Sequence, residues 1–589
     1  MALPSITPQP DSDSREGTIV DVPTDCIPSA PSQKIKEVQL TDQTHVLPFK
    51  KIISVFLGLG LCVFVTALDS VIIATSLPTI NTTFHAGAVV SWVPSAYMLT
   101  SAAFQPIYGR FSDIFGRKTA LALAMSIFMF GNLLAGFSKK IIQVIIFRGI
   151  AGAGGGGIVS MMQIVVSDVV TLRDRGKYQG IIQAIVAVGY TAGPLIGGAL
   201  SESVGWRWSF WVTIPISLVA TVIVWFVLPL KPVEPGIRRK LLCIDYIGSA
   251  LTLAASTLIM LPLIWGGVTF PWSSPIVLGS LSAGFFLILV FCLWEWKGAR
   301  LPIIPMYIFK HMTVTGVYII MFINGFVFFS SLYYLPQYFQ VVLEYSPIDA
   351  AMFLIPLLLG QMSASWVAGI IISKTGKYTP IIHSGFSVWA VGCGFISTVN
   401  PATSKAAMVI FMLLSGIGAG QTLQPTTIAA QASVPRRDMS VVTAFRNFVR
   451  QIGGTLALAV NAALINNQLR ASMENLSLSE SIVSAIIDDP AYLYDNELNL
   501  RKSTRDYILV HGYTKGFQYV FYLNAGLTAL AVFVSIMMIK HKDLNTDFEE
   551  RERLKEAQDE ERKRDVEMGG RKDNSLDTEQ GPNQSVEAR

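Results

Sequence analysis

Long apolar stretches dominate the chain between about residues 52 and 540, broken by short runs of Gly, Pro, Lys and Arg. A bilayer core needs about 20 apolar residues per helical crossing. Stretches of that length fall near 52–74, 88–108, 119–137, 142–165, 178–200, 209–229 and 245–265, then near 276–296, 313–335, 348–372, 379–398, 405–428, 441–466 and 517–540. The pattern predicts fourteen spans. They must be helical, because hydrocarbon offers no partner to an open backbone, and the runs are too long and too uniformly apolar for the alternating strands of a barrel.

Charge sharpens this picture. Of 589 residues 51% are hydrophobic and 14% charged, against about a quarter charged in soluble domains. Residues 1–51 carry 12 charged side chains and 541–589 carry 25, which leaves 48 for the 489 residues between them. A water-soluble enzyme is excluded on this balance, and the net charge of +5 gives no support to nucleic-acid binding. Lys and Arg gather in alternate loops, 17 in one set against 4 (Lys139, Lys140, Arg207 and Lys405) in the other. Since cytoplasmic loops retain positive charge, both termini are expected in the cytoplasm. The N-terminal tail lacks the charged-then-apolar order of a cleavable signal, so the first span is expected to act as an uncleaved anchor. Five cysteines without a CxxC pair indicate neither a disulfide framework nor a metal site. Two acceptor triplets, at Asn81 in the first outer loop and Asn475 in the long outer loop 467–516, are candidate glycosylation sites.

An internal repeat organises the spans. Gly109 and Gly116 after span 2 are seven apart, as are Gly369 and Gly376 at the end of span 10. Ala151 to Gly154 in span 4 likewise resembles Ile417 to Gly420 in span 12. Span n therefore matches span n+8. The division expected is a cytoplasmic tail 1–51, a six-helix bundle 52–229, a two-helix insertion with linkers 230–312, a second six-helix bundle 313–540 and a charged cytoplasmic tail 541–589.

Charges inside spans are costly, roughly 2.5–3.5 kcal/mol at the bilayer centre, and so tend to be paired or functional. Asp69 in span 1 and Arg148 in span 4 fall in the outer half of the membrane, within one or two helical turns of each other at about 1.5 Å per residue. A carboxylate there can switch its proton with hydration and pairing, which suits proton coupling, or it can simply anchor its helix. Arg446 and Arg450 fall near the start of span 13, where long side chains can snorkel to the interface. Asp113, Arg117 and the spaced glycines make a candidate latch between helix ends, with Gly376 and Lys377 in its second copy, where Ser373 replaces the acid. Gly189, Gly193, Pro194, Gly197 and Gly198 in span 5 suit close packing and a hinge. Gln105, Gln163, Gln183, Tyr190, Asn324, Gln361, Gln421 and Gln424 are candidate cavity residues. Phe322, Phe326, Phe329 and Tyr333 form a helical stripe that either packs or stacks a flat substrate. The run from Gly152 to Gly157 fits a dinucleotide fingerprint only formally, since no strand precedes it. No phosphate loop or HExxH appears, so the energy source is expected to be a gradient, with no cofactor.

At these residues the chain resembles the major facilitator superfamily, specifically its fourteen-span drug:proton antiporter branch in fungi. The likeness rests on Leu68, Asp69 and Pro78 in span 1; Gly109, Asp113, Gly116 and Arg117 after span 2; Arg148 and Gly152 in span 4; and the glycines with Pro194 in span 5. Segments 206–211 and 334–340 also resemble fungal toxin-efflux relatives. One departure is Ala151, where the span 4 signature usually has Gln. The resemblance implies an all-helical, alternating-access antiporter that exports a hydrophobic small molecule such as a secondary metabolite, mycotoxin or drug. It further implies coupling through Asp69 and Arg148, a latch at Asp113 and Arg117, a monomer, and residence in the plasma membrane, with the vacuolar membrane as alternative. Other readings are a carrier for basic amino acids or siderophore chelates, and a nutrient sensor that does not transport.

Overall fold

The computed structural model describes residues 49–86, 89–90, 92–228, 242, 244–266, 270–476, 478–488, 493–494, 501–542 and 544. The N-terminal tail to residue 48, most of 229–243 and the charged tail beyond 544 lie outside the described residues, as does Ser477 of the second acceptor triplet.

Helices account for nearly all of the described chain. The long ones are α1 (Phe49–Phe84), α2 (Trp92–Phe115), α3 (Arg117–Gly136), α4 (Ile141–Val169), α5 (Arg175–Ser203), α6 (Thr213–Val227) and α7 (Tyr246–Trp265). They are followed by α8 (Pro275–Lys297), α9 (Met312–Val341), α10 (Ile355–Thr375), α11 (Thr379–Ile396), α12 (Lys405–Ala432), α13 (Met439–Glu474) and α14 (Lys515–Met538). Thirteen helices among the described residues are long and apolar enough to cross a membrane. The remaining one of these fourteen, α2, is less apolar because it carries Gln105, Arg110, Ser112 and Asp113, all buried within the protein. Faces rich in exposed Phe, Leu and Trp, as on α8 with Phe285, Phe286, Leu289, Leu293 and Trp296, suit a lipid solvent. Hydroxyls inside the helices bond backward to their own carbonyls, as Thr66 does to Cys62 and Ser256 to Thr252, so few polar groups face hydrocarbon unmet.

Packing repeats at an offset of eight helices. In the first half α1 packs on α5 and α6, α2 on α4, and α3 on α4 and α6; in the second α9 packs on α13 and α14, α10 on α12, and α11 on α12 and α14. The halves meet along two seams related in the same way, α2 with α13 and α5 with α10. Helices α7 and α8 pack together, and α7 lies against both α2 and α13. At the far end of the pair, the Asp245 carboxylate caps Gly248 N–H and accepts from Trp294 Nε1 of α8, while Glu295 accepts the N–H groups of Ile303 and Ile304.

Several boundaries differ from the sequence pattern. The segment 109–115, expected as a loop, forms the last two turns of α2, and the turn is Gly116 alone at φ 97°. Its charges are paired inside the protein, so nothing ends the helix there. Likewise 369–375 is helical and α10 ends at Gly376 with φ 72°. Helix α13 runs to Glu474, and the segment beyond it contains helices Glu480–Asp488 and Lys502–Tyr507 and a π-helical turn Ile508–Thr514 leading into α14. Asn81 is not in a loop: it occupies the last turns of α1, half-buried, whereas Asn475 follows α13 and is exposed.

Candidate functional site

The glycine run of α4 is what allows α2, α3 and α4 to meet. A methyl on Gly152 would lie 2.3 Å from the Tyr97 carbonyl oxygen of α2, one on Gly154 would lie 2.4 Å from the Phe128 nitrogen of α3, and one on Gly156 would lie 2.0 Å from the Ser101 oxygen. The run is a packing surface in a helix, not a dinucleotide loop. That close contact brings Arg148 beside Tyr97 and Asn132. Its Nη1 donates to Asp69 Oδ2 at 2.7 Å and to Asn132 Oδ1 at 3.1 Å, and the guanidinium carbon lies 4.3 Å from the Tyr97 ring centroid. Asp69 is fully buried and Arg148 is 1% exposed. The two are in direct contact inside the protein. Asp69 Oδ1 and Arg148 Nε have no hydrogen-bond partner. The arrangement is therefore a buried carboxylate held by a guanidinium.

Tyr97, whose ring Arg148 covers, also lines a central cavity of about 200 Å³. The cavity lies between the halves, lined by α1, α2, α4 and α5 and by α9, α10, α12 and α13. Of the cavity residues expected from sequence, Gln105, Gln163, Gln183, Tyr190, Gln361 and Gln424 line it. Asn324 does not: it sits behind the wall, donating to Thr422 Oγ1 and accepting from Arg450 Nε at 2.8 Å. Gln421 does not either, because it points to α11, where it accepts from Ser384 at 3.1 Å. The aromatic stripe of α9 divides. Phe329 and Tyr333 face the cavity along with Phe328, whereas Phe326 belongs to the core.

Arg446 and Arg450 depart furthest from expectation. Rather than snorkelling, both line the cavity. Arg446, 2% exposed, donates to the Leu423 carbonyl at 2.6 Å, to Thr426 Oγ1 at 3.0 Å and to Asn447 Oδ1 at 3.0 Å. Arg450 stacks near Phe328 and Phe329, with centroids at 5.0 and 5.7 Å. Among the described residues no Asp or Glu lines this cavity.

The latch residues form a compact ionic cluster at one end of the α2–α13 seam. Arg117 donates to Asp113 Oδ1, to Ser112 Oγ at 2.7 Å, to Asp168 Oδ2 at 2.7 Å and across the seam to Ser440 Oγ at 2.8 Å. Arg110 lies 3.5 Å from Asp113 and 3.9 Å from Asp438 of the other half. Tyr307 donates to both Asp438 oxygens; burial first, and that bond second, push its phenol above the ordinary value. A methyl on Gly109 would touch the Ala444 side chain at 2.9 Å, so this glycine sets how closely the seam closes. The other seam closes on paired glycines, Gly176 against Gly369, and on Arg173, whose Nε donates to the Ser373 carbonyl at 2.6 Å. Ser373 itself donates to Asp174 of the first half at 2.6 Å, and Lys377 is exposed. Asp168, Asp438 and Asp174 were not singled out from sequence. They stand at span ends, where an acid is unremarkable, and only the fold turns them toward the arginines. In α5, Gly189, Gly193 and Gly197 face α1, a methyl on Gly197 meeting the Ile72 oxygen at 2.3 Å, while Gly198 has open space. The helix continues through Pro194, whose side chain lies outside the described set.

Comparison with known proteins agrees with this geometry. The family model described as Major Facilitator Superfamily matches residues 59–458. The efflux pump dotC of Dothistroma septosporum is 36% identical over 441 residues, 74% of this chain and 76% of that protein. Citrate exporter 1 of Yarrowia lipolytica is 30% identical over 547 residues, 90% of this chain and 81% of that one. Among solved structures, the proton:xylose symporter XylE superposes with a TM-score of 0.54 at 14% identity, covering 84% of this chain and 99% of its own, a likeness of fold. A multi-pass helical protein with two repeated halves around a cavity, and with no enzyme among these relatives, this chain belongs to the Major Facilitator Superfamily of membrane transporters.

Proposed function

We propose that this protein is a proton-coupled exporter that moves a hydrophobic small organic molecule across the membrane by alternating access. The observation that carries the reading is the buried Asp69–Arg148 pair, whose arginine lies against Tyr97, a cavity-lining residue. An ion pair in so dry a place persists only while the pairing compensates the desolvation of both charges. A proton on Asp69 removes one charge and leaves Arg148 to its other partners, Asn132 and the Tyr97 face among them. That change biases the fit between α1, α2 and α4, and a differential of this kind is what lets a bound proton shift a two-state equilibrium. Export as the direction is supported by the printed names of relatives such as the efflux pump dotC, and a gradient as driving force by the absence of a phosphate loop in the sequence.

The positive loops assign the Gly116 end, with both termini, to the cytoplasm. The plasma membrane is the expected site and a monomer the working unit. The bundles 52–229 and 313–540 are the rocking bodies, with 230–312 as the insertion. In the present conformation the cytoplasmic end of both seams is closed, by Arg117–Ser440 on one side and by Arg173–Ser373 and Gly176–Gly369 on the other. Opening toward the cytoplasm requires those contacts to part. The test is metabolite profiling of cells and medium in deletion and overexpression strains, with and without a protonophore. Deletion, or the protonophore, should raise the intracellular share of at least one compound. An unchanged distribution of every compound overturns export and favours a sensor.

A further inference from the structure

The cavity holds two guanidinium groups and no acid to balance them. Arg446 and Arg450 sit one helical turn apart on α13, both lining the cavity, and neither forms an ion pair with any described residue. Each is positioned from behind by neutral acceptors: Arg446 by Leu423, Thr426 and Asn447, and Arg450 by Asn324, itself bonded to Thr422. Among the described residues Arg446 Nε, which is buried, has no partner, and Arg450 is held over two phenyl rings with one direct hydrogen bond, through Nε. Charges placed inside a membrane protein at this cost, fixed in place yet left unneutralised, are arranged for a partner that arrives from outside the chain. A planar carboxylate is the partner that matches a guanidinium edge, through charge-assisted bonds about twice as strong as neutral ones.

The rest of the wall describes the remainder of the guest. Phe328, Phe329, Tyr333 and Met98 supply an apolar face suited to a flat or aromatic body. Gln105, Gln163 and Gln424 add neutral amide groups to the lining. We propose that the exported compound is an amphipathic organic acid whose carboxylate docks between Arg446 and Arg450 and whose apolar body lies on the α9 aromatics. The inference rests on the export reading and narrows its cargo from hydrophobic molecules in general to anionic ones. It also turns away basic amino acids, which two fixed cations repel.

Equilibrium binding to the purified full-length protein tests this with matched probes that share a ring and differ in charge: benzoate and benzamide, naphthoate and naphthamide. The expected result is that at least one acid binds tenfold or more tightly than its amide. Arg450→Gln should cut acid binding about tenfold while leaving amide binding within about threefold, and Arg450→Lys should retain most of the acid preference. Arg446→Gln should act in the same direction, and Arg446→Met, which also removes the charge, replaces it if the glutamine variant does not yield a monodisperse protein. Equal affinity for acid and amide, no binding of either acid, or an acid preference that survives Arg450→Gln overturns the proposal. The two readings fail separately: profiling can show export while these probes show no charge preference, and the probes can show the preference while profiling shows no export.

Discussion

The two halves pack alike and are charged differently. In the first half each of the interior acids Asp69, Asp113 and Asp168 has an arginine in contact: Arg148 for the first, and Arg117 for the other two. In the second half, α13 holds the place that α5 holds in the first, by the offset of eight in the packing, yet it brings Arg446 and Arg450 to the cavity with no counter-ion. The repeated latch is also unequal, because Asp113 with its arginines faces Ser373 and an exposed Lys377 in the other copy. The repeat therefore supplies a scaffold with two equivalent seams, while the chemistry is divided. One half carries a buried ion pair, and the other brings two guanidinium groups to the cavity with no acid beside them among the described residues.

That division can be broken from either side. The largest effect is expected at the balanced pair. Asp69→Asn keeps the shape but removes the titrating group, and gradient-driven export should fall by about 100-fold, roughly 2.7 kcal/mol in the coupled step. The protein should still reach the membrane, which a fluorescent fusion checks. Arg148→Leu goes further in stability, because it strands a buried carboxylate at a cost of about 3–5 kcal/mol, and should lower the detergent melting temperature more than Asp69→Asn does.

The latches sharpen the comparison next. Arg117→Gln removes bonds to two aspartates and to Ser440 together, and export should drop about tenfold, read from initial rates in loaded cells. Ser373→Ala removes one bond to Asp174 and should stay within about twofold. Equal effects at the two positions would contradict the asymmetry. The smallest effect separates neighbours in α5. Gly197→Ala drives a methyl into the Ile72 carbonyl and should lower the melting temperature measurably, whereas Gly198→Ala, with nothing within 4 Å, should leave it unchanged or slightly raised.

Much of this architecture is legible in the sequence, for one reason: lipid demands about 20 apolar residues per crossing, and the chain obeys that rule almost everywhere. Asp69 and Arg148 stand out because charge is scarce inside spans, and counting residues from each span's entry brings them to similar depth. Where charge is paired within the protein, the same logic misplaces boundaries. Arg110 and Asp113 read as a loop, although burial against α13 lets α2 continue past them to Phe115. Arg446 and Arg450 read as interfacial because sequence gives their position along α13 but not the face they occupy. Only the packing of α9, α12 and α13 turns them inward. Asn324 and Gln421 show the same limit on a smaller scale, both polar and intramembrane, both beside the cavity helices, and neither on the lining.

The most direct measurement of the central claim is protonophore sensitivity of export in cells expressing the natural protein or Asp69→Asn at equal surface levels. The natural protein should lose export when the gradient is collapsed, and Asp69→Asn should already stand at that collapsed level and respond no further. Export by Asp69→Asn that remains high and still collapses with the gradient would show that the proton travels elsewhere, and would end the role assigned to the Asp69–Arg148 pair.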